Sequence, residues 1–394
     1  MAQSVCPLST GNDPLRVLYL IDSLVPGGAE RSLAAMAPHL IAGGIRLEVA
    51  TLHERPGLHD ELTGIGVPLH CLAGPGGRAG WIARTVRLIA TRRPDIVHTT
   101  LFEADVAGRV AAAMCRTPVV SSLVNVAYGP EQQGSGIGST KLGAARLVDA
   151  VTARPVIRFH AVSRHVGEVM AQRLHLQSVR VEVVPRGRDP ELLGRRTEER
   201  RASARAGLGL GDDPVVLAAA RHEQQKGLDT LVEAVPFVLG SARAARFLIA
   251  GREGTQTRRL YALVDRLGVH DAVWFLGTRA DVYDLLCAAD VFAFPSRWEG
   301  MPGAILEAMA LETPIVASDV PPVREAVTDG VSARLVPPGR PQALAEAIVD
   351  SLGDPAGNVM RTARALSDFH ARFTIGRAAE GMLAFYEHAL STVR

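Results

Sequence analysis

Residues 291–317 read VFAFPSRWEGMPGAILEAMALETPIVA. The run at 291–294 is apolar, partly aromatic and too short for a helix, so it reads as a buried strand. A Pro- and Gly-containing loop follows. Residues 304–311 then carry apolar side chains at helical spacing, and 314–317 form a second short apolar run. Two strands joined through a helix run parallel, because the chain must cross back before pairing. Within this unit Glu299 falls in the loop after the first strand, and Glu307 about one turn inside the helix. Gly300, Pro302 and Gly303 lie between them. Glycines let backbone N–H groups approach a ligand closely, and the free N–H groups of a first helical turn suit a phosphate. Two carboxylates beside such a turn can accept hydrogen bonds from sugar hydroxyls: Glu299 from a hexosyl ring, Glu307 from ribose. They also fit a plainer role, as acids favoured by a helix N-terminal dipole.

Working outward, the same alternation fills the chain. The spacing predicts strands at 16–21, 45–52, 67–72, 95–98, 118–122, 156–162 and 179–184. Helices are expected at 29–42, 81–91, 102–115, 140–151 and 164–174. Residues 185–213, rich in Gly, Arg and Glu, read as a linker with a solvated helix. The pattern then restarts, with strands at 215–220, 246–250, 273–276, 291–294 and 314–317. Its helices fall at 227–239, 258–267, 281–288, 304–311, 341–352 and 375–389. The expected fold class is α/β: two doubly wound, Rossmann-like domains facing across a cleft. In open parallel sheets ligands bind beyond the carboxyl ends of the strands, so the loops there are where chemistry is sought.

Composition narrows the classes. Of 394 residues, 47% are apolar and 21% charged, which suits a globular protein with real cores and excludes disordered, collagenous and coiled-coil readings. Of the 43 basic residues only Lys141 and Lys226 are lysines. Net charge is +2, divided unevenly: residues 1–205 sum to +7 and residues 206–394 to −5. The four cysteines, Cys6, Cys71, Cys115 and Cys287, form no CxxC pair, so a reduced, intracellular protein is expected. The leader MAQSVCPLSTGNDPL has no basic segment followed by an apolar core, and no apolar run reaches membrane-spanning length. A cytoplasmic location is expected, with peripheral contact at the inner face of the cytoplasmic membrane through the basic first half. The arginine-rich helix at 81–93 can supply that contact, or be a solvated face.

Four further loops carry candidate chemistry. ARHEQQKG (220–227) follows the first strand of the second half; Arg221 and Lys226 can clamp a diphosphate there, a fork and a point charge. In a chain that uses arginine for nearly every cation, a lysine in this loop calls for a reason. PGGAER (26–31) offers Gly27 and Gly28 for close approach, or a simple turn. His98 ends the strand DIVH, where it can contact sugar, act as acid or base, or cap the strand. GREG (251–254) borders a nucleotide or merely turns. No DxD, HExxH or GxxxxGKS spacing occurs, so no metal is expected, and no basic stripe interleaved with aromatics points to nucleic acid.

These loops, in this order, resemble the family-four retaining glycosyltransferases of the GT-B fold. The stretches that carry the resemblance are PGGAER (26–31), RPDIVH (93–98), HAVS (160–163), VPRGRD (184–189) and ARHEQQKGLDTLVEA (220–234). WFLGTRADVYDLLCAADVFAFPSRWEGMPGAILEAMA (274–310) and PIVASDVPPVREAVTDG (314–330) complete them. The resemblance implies an acceptor domain over residues 13–190, a nucleotide-sugar domain over 191–373 and a final segment, 374–394, crossing back to the first domain. It implies transfer of a hexosyl group with retention, from a UDP- or GDP-sugar to a hydroxyl of a glycan, glycolipid or small molecule, without metal or other cofactor. Arg221, Lys226, Glu299 and His98 would be the catalytic set. Gly27, Gly28, Gly251, Phe275, Gly300, Met301, Gly303, Ala304, Ile305 and Glu307 would line the donor.

The chain departs from the family pattern in three places. Thr100 stands where a second histidine is usual, the loop 121–125 has no histidine, and Arg186-Gly187 replaces the usual Asn-Gly. All three lie in or next to the first half and imply an unusual acceptor or sugar pocket. Other readings are a nucleotide-sugar epimerase or phosphorylase on the same architecture, and a non-catalytic sugar-nucleotide-binding protein.

Overall fold

The computed structural model describes residues 14–129 and 138–392. Cys6 and most of the leader lie outside them. The chain divides into two compact units: one runs to Gly187 and takes in the segment from Ile375, and the other spans Arg188–Thr374.

The first unit contains β1 (Leu15–Ile21), α1 (Gly28–Ala42), β2 (Ile45–Thr51), α2 (His59–Gly64), β3 (Leu69–Cys71), α3 (Gly77–Arg92), β4 (Ile96–Thr100) and α4 (Phe102–Cys115). It continues with β5 (Val119–Leu123), α5 (Ser139–Thr152), β6 (Arg158–Ala161), α6 (Arg164–Leu174) and β7 (Val181–Val183). The second contains α7 (Pro190–Leu193), α8 (Glu198–Gly207), β8 (Val215–Ala219), α9 (Leu228–Ser241), β9 (Arg246–Ala250), α10 (Thr257–Leu267) and β10 (Val273–Gly277). Then come α11 (Val282–Ala288), β11 (Val291–Phe294), α12 (Gly303–Ala310), β12 (Ile315–Ser318), α13 (Pro321–Ala326), β13 (Arg334–Val336), α14 (Pro341–Leu352) and α15 (Pro355–Arg372). The final helix, α16 (Ile375–Ser391), belongs to the first unit.

Both sheets are parallel. The first has the order β3-β2-β1-β4-β5-β6-β7 and the second β10-β9-β8-β11-β12-β13. Each therefore reverses its strand order once, between β1 and β4 and between β8 and β11. At such a point neighbouring loops leave in opposite directions and open a crevice. The central strands are buried from end to end: β11 is a continuous apolar run, as a doubly covered strand usually is, whereas β4 buries His98, Thr99 and Thr100 as well, each with a hydrogen-bonded side chain. In the second unit Leu231 and Val235 of α9 and Leu263 of α10 close over Val216, Phe247 and Ile249. In the first, Leu33 and Leu40 of α1 and Phe385 and Tyr386 of α16 pack on Val17 and Ile21.

The structure adds elements that periodicity did not reveal. The longest is α15, 18 residues whose buried positions are only Thr362, Ala365 and Phe369. With one large apolar anchor its stripe is almost silent in sequence. Its start is instead held by Asp354, whose Oδ1 accepts from Gly357 N at 2.9 Å. The units part at 187/188 rather than 190/191, because Arg188 is already tied to the second unit. Its N–H donates to Phe373 O at 2.9 Å, and its backbone pairs with Thr374.

The arginine bias finds a physical use here. Arg201 Nη1 donates to the carbonyls of Cys287, Ala288 and Ala289 at the end of α11, while Nη2 pairs with Asp290 at 2.6 Å. Arg205 spans Ala288 O, Gly211 O and Asp213 O. Arg84 reaches three carbonyls, of Leu72, Gly74 and Pro75. One guanidinium satisfies several orphaned C=O groups at once, which an ammonium cannot match in a plane. Among the described residues no helix is long and apolar enough to cross a membrane.

Candidate active site

The second sheet brings two distant loops together. The loop after β8 (220–227) and the loop after β11 (295–302) leave adjacent strands on either side of the order reversal. Hydrogen bonds stitch them to each other, including one from Arg297 Nη1 to Gln224 O at 2.8 Å, and to Asp229 in the first turn of α9. Gln225 Nε2 donates to Trp298 O at 2.9 Å, and Arg297 N to Gln225 O at 2.8 Å. The Arg297 guanidinium forks onto both oxygens of Asp229 at 2.8 and 2.9 Å. Lys226 Nζ donates to Glu299 Oε1 at 2.6 Å. Gly227 permits this approach. Its φ of +62° is a left-handed conformation, and a Cβ there would overlap the Pro295 carbonyl.

The Lys226–Glu299 pair sits nearly out of solvent, with side chains 18% and 6% exposed. The ammonium also lies 5.8 Å from the centre of the Phe294 ring. The sequence assigns these residues to two different parts of a donor, and the structure joins them as one charge pair. Arg221, the other expected clamp cation, is exposed, and its guanidinium makes no hydrogen bond or ion pair among the described residues.

Helix α12 starts at Gly303, shortly after Glu299 in the same loop. Met301 is buried and Ile305 fully so, which leaves only their backbones to meet a ligand. The Gly303 N–H turns back onto Met301 O, and the Ile305 N–H onto Pro302 O, each at 3.0 Å. Glu307 lies one turn further on and accepts from Arg188 Nε at 2.7 Å. The Arg188 guanidinium packs against the α-carbon of Gly303, where a Cβ would collide with it.

Gly251, at the end of β9, rests on the Ala220 carbonyl with no room for a side chain, and its N–H donates to Gly277 O at 2.8 Å. Phe275 is half-buried between Tyr261, at 4.5 Å between ring centres, and His222, at 5.5 Å. His222 itself is buried; burial lowers its pKa, and its Nδ1 lies 3.1 Å from Thr257 Oγ1.

In the first unit His98 is 1% exposed, and both ring nitrogens are engaged. Nδ1 lies 2.7 Å from the Tyr386 hydroxyl of α16, and Nε2 lies 2.7 Å from Ser122 Oγ. Ser122 Oγ is 2.8 Å from His160 Nδ1, and His160 Nε2 is 2.9 Å from Val184 O. The proton positions follow in sequence. A carbonyl only accepts, so His160 carries its proton on Nε2 and accepts from Ser122. Ser122 then accepts from His98 Nε2–H, and His98 Nδ1 accepts from Tyr386. Both imidazoles are neutral in this chain. Burial pushes His98 well below its ordinary value and His160 down to about 4. This wiring ties α16 to the sheet, and it commits to partners both nitrogens that a proton-transfer role for His98 would need. Nearby, Glu103 meets His53 Nε2 at 2.6 Å, and Asp22 accepts from Ala104 N at 2.7 Å. Burial raises the Asp22 carboxyl to about 6. Gly27 stands at the N-cap of α1, and Gly28 is the first residue of that helix.

Among the described residues no group of three or more His, Cys, Asp or Glu side chains is arranged to hold a metal ion.

Comparison with known proteins names the architecture. Residues 26–192 match the family model described as Glycosyltransferase Family 4, and residues 213–354 match Glycosyl transferases group 1. The chain is 30% identical over 396 residues to a D-inositol 3-phosphate glycosyltransferase of Xylanimonas cellulosilytica, covering 92% of each chain. The protein belongs to glycosyltransferase family 4. This glycosyltransferase is also 30% identical to an alpha-D-kanosaminyltransferase of Streptomyces kanamyceticus, over 48% of this chain and 50% of that one. Its fold matches the GT-B glycosyltransferase structures. The HepE protein of Anabaena, solved with UDP-glucose, superposes with a TM-score of 0.84 at 24% identity, over 96% of this chain and all of that one. Sucrose-phosphate synthase of Thermosynechococcus elongatus gives 0.81 at 22% identity, over 96% of this chain and all of that one.

Sequence reasoning missed the residues that hold the glycosyltransferase's two loops in register. Arg297 and Asp229 lie inside stretches that carry the family resemblance but 68 residues apart, and only the adjacency of β8 and β11 pairs them. Arg188 was visible as the second arginine of VPRGRD, with nothing to mark Glu307 as its partner.

Proposed function

We propose that this glycosyltransferase moves a hexosyl group, with retention, from a UDP- or GDP-sugar to a hydroxyl of a glycan, glycolipid or small-molecule acceptor. The observation that carries the reading is the Lys226–Glu299 pair, set at the order reversal of the second sheet beside the start of α12. On this reading Glu299 holds the donor sugar's hydroxyls, Glu307 the ribose hydroxyls, and the backbone of Gly303–Ile305 the diphosphate. The base packs beside Gly251 and Phe275. Gly300 and Met301 complete the donor's lining by backbone contact.

The bond from the anomeric carbon to the phosphate oxygen breaks, and the acceptor oxygen bonds to that carbon from the same face. The acceptor's proton passes to a leaving phosphate oxygen. The protein's task is to meet the charge that grows on the diphosphate, and donors fixed beforehand do this best. Lys226, Arg221 and the Ala304 N–H at the start of α12 supply them without a metal ion, while the Gly303 and Ile305 N–H groups, bonded to Met301 O and Pro302 O, hold that turn in shape. Lys226 then exchanges Glu299 for phosphate, and Glu299 is released towards the sugar. His98 enters as a positioning residue for α16.

The test is a donor screen by nucleotide release, with mass spectrometry of the products formed from acceptors in host extracts. Transfer from a UDP- or GDP-sugar with the anomeric configuration kept is expected. Turnover of the donor to an epimer or a sugar phosphate without an acceptor sinks the reading, as does tight nucleotide binding with no turnover.

A further inference from the structure

Glu307 and Gly303 are four residues apart on α12, so they share one face of that helix. The Arg188 guanidinium lies along this face, with Nε 2.7 Å from Glu307 Oε1 and a terminal nitrogen against the Gly303 α-carbon. Its side chain is 19% exposed and that of Glu307 16%, so water screens the pair only in part. The placement matters on the donor reading above, on which this inference rests. A ribose needs Glu307 as an ionised acceptor. The diphosphate, a multiply charged anion, must settle at Gly303 within one helical turn of it. Two anions that close repel, and in a partly dry site the repulsion is strong.

We propose that Arg188 is a positioning residue of the donor site, the counter-ion that lets Glu307 stay charged beside the donor's diphosphate. The arginine follows the Arg186-Gly187 departure from the family pattern, and its backbone is anchored by the Phe373 carbonyl at 2.9 Å. The cation is therefore delivered from a fixed point. It acts through Glu307 and needs no bond of its own to the phosphate.

This makes a distinctive pattern in binding. Only ligands that bring phosphate next to Glu307 depend on Arg188. Calorimetry with UDP and GDP, and saturation-transfer NMR with uridine and guanosine, read the two classes. Arg188→Ala is expected to weaken the bound nucleoside diphosphate about tenfold or more and its nucleoside less than threefold. Arg188→Lys keeps the charge and is expected to stay within threefold of wild type. In a Glu307→Gln background there is no charge to counter, so adding Arg188→Ala is expected to change diphosphate binding less than threefold.

Equal weakening of nucleoside and diphosphate overturns the inference, because a merely structural arginine does that. A tenfold loss that persists in the Glu307→Gln background also overturns it and makes Arg188 a direct phosphate ligand. If wild type binds neither UDP nor GDP, the donor reading fails and takes this inference with it. If wild type binds and Arg188→Ala binds equally well, only the inference fails.

Discussion

Replacing Lys226 by alanine separates two roles of one ammonium group. Its Nζ lies 2.6 Å from Glu299 Oε1, and that glutamate side chain is only 6% exposed. Removing the cation strands a carboxylate that water barely reaches. Breaking a buried pair from one side costs about 3–5 kcal/mol. The lysine end is partly wet, at 18% exposure, which places this pair at about 3 kcal/mol. For a unit of this size each kcal/mol moves the melting temperature by about 2–4 °C, so Lys226→Ala is expected to melt about 6–12 °C lower. Glu299→Gln removes the charge that needs a partner. The double variant should therefore recover part of the loss, with a coupling energy of about 2 kcal/mol. Transfer behaves differently. Well below the melting temperature, Lys226→Ala should lose at least about a hundredfold in turnover, and Glu299→Gln should not restore it, because the leaving diphosphate still lacks its cation. Calorimetric melting and nucleotide-release kinetics on the four proteins of the cycle give both quantities. A coupling energy below about 0.5 kcal/mol refutes the stabilising pair. Near wild-type transfer by Lys226→Ala refutes the clamp, and transfer restored in the double variant reduces Lys226 to a prop for Glu299.

Gly227→Ala must hold a left-handed φ of +62° and also displace the Pro295 carbonyl, whereas Gly268→Ala, at φ +65°, meets open space. The first should cost more than about 2 kcal/mol in urea denaturation, and the second only the backbone share of about 1–2; equal costs would remove the steric argument. The buried imidazoles and Asp22 give opposite pH signatures. The unfolded chain binds more protons than folded His98 and His160, so their contribution to stability is lost as pH falls from about 6.5 towards the His160 value of about 4. Folded Asp22 binds its proton up to about 6, against 3.8 when unperturbed, so its contribution is lost as pH rises through that window. In NMR titrations neither His98 nor His160 should change charge between about pH 5 and 8, and a midpoint near the ordinary imidazole value for either would break the hydrogen-bond chain drawn for them. Asp22→Asn should gain melting temperature relative to wild type as pH goes from about 4 to 7, and a constant difference would show that Asp22 is not perturbed.

The α/β class, the doubling and most strands were legible in sequence because each is a local signal. A strand buried on both faces is mostly apolar, and 247–250 or 291–294 show that without reference to anything else. The motif loops were legible for the same reason: glycine, proline and charge at a strand end are local. Helix α15 was not, because its hold on the fold is one phenylalanine, small residues and a capped start rather than a stripe. Partnership was also beyond the sequence. Lys226 stood out by composition and Glu299 by spacing, yet nothing in either position says that they neutralise each other across 73 residues. Arg297 with Asp229, and Arg188 with Glu307, are pairs of the same kind. His98 shows the limit most clearly. As a histidine at a strand end it carries equal promise as acid, base or prop, and only the arrival of Tyr386, 288 residues later, with Ser122 and His160 beside it, uses up both nitrogens. The chain alone determines which residues prefer to be inside and where it turns. Which charge answers which depends on strand order, and strand order is decided when the whole sheet closes.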